Sequence, residues 1–431
     1  MLNVHIVSLF PEFYTSPLAT ALLAKAQESG VLAFSHHDPR AFTTDKHHTA
    51  DDRPYGGGPG MVMLAEPVAN CLRSLPKAGR MLVMAPSGRP FTQALARELA
   101  QEEHITIICG RYEGLDARLF EAFPLEPISV GDVVLNGGET ASLAVIEAVA
   151  RLVPGFMGKE ESGDDESFSH GLLEYPHYTR PEVWENHAVP DVLRGGDHAR
   201  IQQWRREASL AATLHNRPDL FTEAPLTGND AAWLNAQPRR RIGKNLFACL
   251  VHYPVLLGEK NSGASSLTNL DIHDIARSSR SYGLGAFYIS TPLADQTRVL
   301  EAVLRHWTQG KAAKSHADRA EALRIVRHVN ILEEAVQDIY ARTGQKPRII
   351  ATSAQWPRDA NAPALTPSQV RAWLHEAPVL LCFGTGHGLA PEVLAQCDAA
   401  LRPLRFSGDY NHLSVRAAAA ITLDRILGDM L

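Results

Sequence analysis

The chain has 431 residues, 45% of them hydrophobic and 21% charged, with 42 basic against 48 acidic side chains for a net charge of −6. That length exceeds what one hydrophobic core usually organises, so two or three globular domains are expected. The acidic balance excludes a global basic field for nucleic acid, and any RNA contact must rest on local patches.

Residues 1–10 are apolar but lack a basic leader and run into Pro11, so they predict a first strand rather than a signal peptide. No eighteen-residue apolar run is present, which points to a soluble chain. Cys71, Cys109, Cys249, Cys382 and Cys397 are odd in number, scattered, and contain no C-x-x-C pair. This argues against a disulfide framework or a zinc site and for a reduced, cytosolic compartment.

Strand-like runs at Val4–Leu9, Arg80–Ala85 and Ile105–Cys109 alternate with helical stretches at Thr92–Glu102 and Thr140–Leu152, the pattern of a parallel α/β sheet. Glycine and acid collect between Gly155 and Asp165 and predict a mobile connection, placing a first boundary near residue 160. Residues 161–224 read as a small helical module, with no strand signal from Arg180 to Phe221 and a helix over His198–Leu214 bearing Arg200, Arg205 and Arg206. Residues 225–242, with Gly228, Pro238 and three successive arginines, read as a linker. The α/β pattern then restarts at Asn245–Val251 and continues through Ala286–Ser290, Arg348–Thr352 and Val379–Phe383, a further domain over 243–431.

Twice an apolar strand enters a glycine turn, and twice a Gly-Asp turn follows that opens into a helix of small residues. Gly110 to Gly131 spans 21 positions and Gly384 to Gly408 spans 24. The match predicts two copies of one ligand-binding architecture, since ligands of open parallel sheets collect at the carboxyl ends of strands. Neither copy spells G-x-G-x-x-G and no Walker lysine is present, so an adenosine-containing ligand without a pyrophosphate fits better than a dinucleotide-dependent oxidoreductase.

Gly56–Met61, Cys109–Gly114, Ser129–Glu139, Arg151–Gly155 and Gly171–Pro181 together resemble the bacterial tRNA (guanine-N1)-methyltransferases over residues 1 to about 222. The resemblance implies a SPOUT-type α/β domain tied in a trefoil knot, a homodimer, and S-adenosylmethionine-dependent methylation of the tRNA guanosine at position 37, just 3′ of the anticodon. It implies a cofactor pocket of Met84, Pro86, Gly88, Gly110, Tyr112, Val130, Gly131, Asp132, Val133, Val134, Leu135, Gly137 and Gly138. The expected partners are tRNA and a second copy of the chain, with neither membrane nor DNA. Whether magnesium assists is left open.

The chemistry has its own requirements. Guanine N1 is protonated and weakly nucleophilic, so its attack on a methyl sulfonium needs a base for that proton and a cation for charge growing on O6. By the resemblance, Arg151 is the cation, while the base position falls on Glu166, with Asp165 one place early as its rival; without the resemblance, residues 164–166 would read as a solvated acidic linker. Glu113 matches a residue that reads the target base, and His177, Tyr178, Arg180, His198 and Arg205 would supply cations and rings to RNA. Taken singly, each is an ordinary surface residue.

Residues 243–431 have their own resemblance, through Leu267–Arg277, Ser290–Leu293, Ala351–Ser353, Phe383–Leu389 and Gly408–Arg416, to a second SPOUT-type RNA methyltransferase domain. It implies adenosylmethionine contacts at Gly384, Gly386, Leu389, Leu404, Gly408, Asn411, Leu413 and Ser414, and RNA contacts at Arg277 and Arg280. The alternative is a non-catalytic RNA- or partner-binding appendage.

Overall fold

The computed structural model describes residues 1–157, 166–237, 242–258, 261–355, 364–405 and 410–428. By contact these group into two compact units, Met1–Pro190 and Asp191–Leu431. Among the described residues no helix is long and apolar enough to cross a membrane.

The first unit is built on five strands, β1 (Leu2–Val7), β2 (Leu32–His37), β3 (Arg80–Pro90), β4 (His104–Cys109) and β5 (Leu125–Ser129). They form one parallel sheet in the order β2-β1-β4-β3-β5. Central strands β1 and β4 are covered on both faces, so that even their polar residues His5 and Thr106 are buried. On one face α1 (Ala21–Glu28), α3 (Gln93–Leu99) and α4 (Gly138–Ala150) enclose Ile6, Leu82 and Ile107; on the other α2 (Ala65–Arg73) covers Val7, Val83 and Ile108. Each such aliphatic side chain contributes about 1.5–3 kcal/mol when fully buried. Past its regular part β3 loses register with β5 between Met84 and Arg89, so the chain bends where the sheet meets its loops. Beyond residue 166 a short hairpin pairs Val183–Trp184 with His187–Ala188, a strand pair within a stretch that carries no strand signal in the sequence.

The second unit opens with α5 (His198–Asn216) and α6 (Gly228–Ala236). The linker expected over 225–242 therefore contains a helix, and the cause is local: Thr227 and Asp230 form a reciprocal capping box. Asp230 is also buried and ion-paired with Arg206 (2.9 Å), whose hydrogen bonds pull its carboxyl down to about 2. Arg206, placed by the sequence on the polar side of this helix, is thus committed to holding α6 on α5.

Seven parallel strands follow: β6 (Leu246–Val251), β7 (Ala286–Ser290), β8 (Val326–Val329), β9 (Arg348–Ala351), β10 (Ala364–Leu365), β11 (Val379–Gly384) and β12 (Ala399–Leu401), in the order β8-β7-β6-β11-β9-β12-β10. Helices α7 (Asn269–Ser281), α8 (Ala294–Thr308), α9 (Gly310–Ser315), α10 (Ala317–Leu323), α11 (Leu332–Thr343), α12 (Pro367–Trp373) and α13 (Val415–Leu427) complete it. Without the edge strands β8 and β10, the order β7-β6-β11-β9-β12 repeats the first unit's arrangement strand for strand. The architecture is duplicated, as the two glycine turns predict.

Candidate functional site

In the first unit the turn after β4 is held from below. Arg111 and Gly137 form an antiparallel bridge, and Gly138 N donates to Gly110 O (2.9 Å). A β-carbon on Gly138 would lie 2.7 Å from Cys109 Cα and 2.9 Å from Met84 Cβ, so only glycine lets α4 start this close to β3 and β4. Met84, Gly110, Gly137 and Gly138 are thereby brought together. Tyr112, exposed at the turn's tip, holds a left-handed φ of +57°, the strained backbone found where a site over-determines it. Gly88 packs on Ile128 at the end of β5, and Pro86 is exposed beside it. Val130, Gly131, Asp132, Val133, Val134 and Leu135 continue from β5 as an exposed rim. Gly114 and Gly131 hold positive φ and have nothing within 4 Å of where a β-carbon would sit.

Beneath these loops lies a polar network absent from the sequence expectations. Glu139, 1% exposed at the start of α4, accepts from Ser8 Oγ (2.7 Å) just past β1 and ion-pairs with Arg111 Nε (2.9 Å) after β4, off the hydrogen-bond axis. The Arg111 guanidinium also lies over the Phe10 ring at 4.4 Å. Three loops are joined at one carboxylate. Alongside, Tyr14 Oη contacts Ser142 Oγ (2.6 Å) and Cys109 Sγ (3.0 Å). Burial pushes the Cys109 thiol up to about 12, so it is a packing group and not a nucleophile.

Glu166 and Arg151 form an ion pair, both partly exposed, with Arg151 at the C-cap of α4. Asp165 lies outside the described residues. Glu113 donates its amide to Met61 O (2.9 Å) and drapes its side chain over Gly60, so it faces the glycine-rich 56–61 loop. His177 pairs with Glu174 (2.6 Å) and stacks near Tyr175, while Tyr178 and Arg180 are exposed. In the other unit His198 opens α5 after its Asp197 cap, and Arg205 lies two turns on along the same helix.

The second unit repeats the plan with different residues. Gly384 allows a tight turn against Gly388 and Leu389, and Gly386 has φ +61° with the Leu256 carbonyl 2.8 Å from where a β-carbon would sit. The constraint on Gly386 is therefore the neighbouring strand, where the sequence suggests a ligand. Thr385 Oγ1 donates to Val251 O (3.0 Å) and contacts Ser265 Oγ, which meets His252 Nδ1 at 2.9 Å. His252 occupies the place after β6 that Ser8 occupies after β1, and burial pushes it down to about 4. Asn411 bonds Ala354 O and Arg405 O, tying the ends of β9 and β12 together beside Leu404. Ser414 caps α13, Leu413 is exposed, Leu389 is core, and Gly408 lies outside the described residues. Arg280, expected at RNA, is ion-paired with Glu321.

A family model described as tRNA (Guanine-1)-methyltransferase matches residues 2–223. The chain belongs to that family. A second model, SAM-dependent RNA methyltransferase, matches residues 245–428. A tRNA (guanine-N(1)-)-methyltransferase of Nitratidesulfovibrio vulgaris is 62% identical over 98% of this chain and 99% of its own length. A namesake from Oleidesulfovibrio alaskensis is 59% identical over the whole of both chains. That of Carboxydothermus hydrogenoformans is 49% identical over 52% of this chain and 90% of its own, so the tandem arrangement is shared by the first two and the N-terminal half alone by the third. The methyltransferase accordingly takes its methyl group from S-adenosylmethionine, and the match of its second domain to SAM-dependent RNA methyltransferases does not favour the non-catalytic alternative.

Proposed function

We propose that the first unit methylates N1 of the guanosine at tRNA position 37 and that it does so as a homodimer in the cytoplasm. S-adenosylmethionine supplies an electrophilic methyl on a sulfonium centre. Glu166 takes the N1 proton, and Arg151 both fixes that carboxylate and steadies charge on O6. Backbone of the Gly110–Gly114 turn, the Val130–Leu135 rim and the start of α4 would hold the cofactor, a use suited to loops that converge at Gly138. Glu113, His177, Tyr178, Arg180, His198 and Arg205 are assigned to the RNA.

The observation that carries the dimer is a separation along one helix. Gly138 begins α4 and Arg151 caps its other end after thirteen residues, about 20 Å of helix at ~1.5 Å per residue. An arginine arm does not span that distance, so one chain's Glu166–Arg151 pair would serve the glycine turn of its partner. The test mixes two inactive variants, Gly110→Val and Glu166→Gln. Gly110 suits this because a β-carbon there meets nothing nearer than 3.7 Å, and an unchanged melting temperature checks that the two further methyls of valine leave the fold intact. Shared sites regain activity on mixing, since each mixed dimer has one intact pair; mixtures that stay inactive would place each site within a single chain. For the base itself, unmodified tRNA and labelled adenosylmethionine should yield 1-methylguanosine, and N7- or ribose-methylation alone would refute the assignment.

A further inference from the structure

We propose that the helical face around Trp307 in the second unit is a contact surface for the phosphate backbone of single-stranded RNA, built apart from that unit's glycine turn. The proposal rests on the reading of this unit as an RNA-modifying domain. Between Arg305 and Arg319 the sequence holds four Lys or Arg, two His and one acid, in a chain whose net charge is −6. The fold gathers this stretch with α7 on one face.

Trp307, at the end of α8, is the centre. Arg319 of α10 lays its guanidinium over the ring at 4.4 Å, and His273, His306 and His316 meet it edge-on with centroids at 5.5, 5.0 and 5.7 Å. A cation held by a ring is fixed in place while its charge stays uncompensated, unlike one held by a carboxylate. The contrast is visible locally. Arg280 and Arg298 are paired with Glu321 and Asp295, whereas among the described residues Arg277, Arg305, Lys311, Lys314 and Arg319 have no carboxylate within ion-pair distance. Lys311 and Lys314 stand three apart on α9 and share a face. Four helices thus present unneutralised cations around a pre-organised aromatic platform, which fits a polyanion better than an uncharged partner.

The experiment uses the full chain, a twenty-nucleotide oligouridine and fluorescence anisotropy between 50 and 200 mM KCl. Lys311→Glu with Lys314→Glu, and separately Arg319→Ala, should weaken binding about tenfold or more, and the double variant should flatten the log–log salt slope by about 1.4, near 0.7 per lost phosphate contact. Melting temperature and guanosine methylation serve as folding controls. In parallel, 4-thiouridine in the oligomer should cross-link within residues 294–323. Cross-links elsewhere in 245–428 with an unchanged slope would overturn the surface but keep the RNA-modifying reading. Absence of any cross-link in 245–428 would remove both. Equal, salt-dependent displacement by polyglutamate would assign the face to acidic proteins instead.

Discussion

Removing the Glu139 carboxylate should loosen the first site without touching any group expected on the substrate. Glu139→Gln keeps the side chain's shape but removes its charge, so the ion pair with Arg111 is lost in either amide orientation and the 2.7 Å hydrogen bond from Ser8 survives only where the amide oxygen faces it. Breaking a fully buried pair from one side costs about 3–5 kcal/mol. Arg111 is 21% exposed and keeps Phe10 beneath it, so the expected loss is lower, about 2 kcal/mol. Ser8→Ala removes one charge-assisted hydrogen bond, about 1.5 kcal/mol. Because both substitutions act on one carboxylate, the double variant should lose less than the sum, with a coupling of about 1 kcal/mol.

Chemical denaturation gives the stabilities, and calorimetry gives adenosylmethionine affinity at the first site. Since Glu139 ties the β1 and β4 loops to the start of α4, its loss should weaken cofactor binding about tenfold or more while tRNA affinity holds. A Glu139→Gln protein that loses under about 0.5 kcal/mol and binds cofactor normally would show that the network only fills space.

Glu166→Gln should lower single-turnover methylation about a hundredfold at unchanged cofactor affinity, and Asp165→Asn should be mild; the reverse order would make Asp165 the base. Gly386→Ala, forced against the Leu256 carbonyl at a φ of +61°, should cost about 1–3 kcal/mol and abolish one of two adenosylmethionine sites seen by titration. His252, neutral when folded until about pH 4 but protonated near 6.5 when unfolded, binds fewer protons in the native state across that window. Stability is therefore full above about 6.5 and declines as pH falls through it, by about 3 kcal/mol at pH 4, and His252→Gln should flatten this slope in thermal melts. Burial lowers His5, His36 and His37 in the first unit in the same direction.

Much of this was legible in the sequence because it was written locally. The apolar runs Ile107–Cys109 of β4 and Val379–Phe383 of β11, each followed at once by glycine, announce both turns, and helices α4 and α5 follow directly from their residue patterns. Strands of three or four residues, such as β8 and β12, offer too short a pattern to separate from a helix or loop. The linker reading failed at Thr227 and Asp230 because Gly228 between them masks the capping box, and Asp230's partner is 24 residues away. The Ser8–Glu139 bond joins residues 131 apart, and nothing near either one marks it.

The duplication sharpens what each copy requires. Both sheets keep the order that brings the ends of the first, third and fourth strands together, and both place a polar residue immediately after the first strand, facing the glycine turn. In one copy Ser8 serves a carboxylate that clamps an arginine; in the other His252 serves Ser265 and Thr385, with no charge in the chain of contacts. Backbone topology fixes where the ligand loops converge, so the loops could be fastened by whichever polar set packed there. An ionic fastening weakens when the carboxylate is lost, whereas the histidine one weakens when the imidazole gains a proton, so the two cofactor sites should respond differently to acid. Cofactor titration at pH 7.5, 5.5 and about 4 is the measure: because His252 stays neutral in the folded protein until about pH 4, the second site should hold at 5.5 and lose affinity near 4, and a second site indifferent to acid down to that point would show that the histidine fastening does not control the turn.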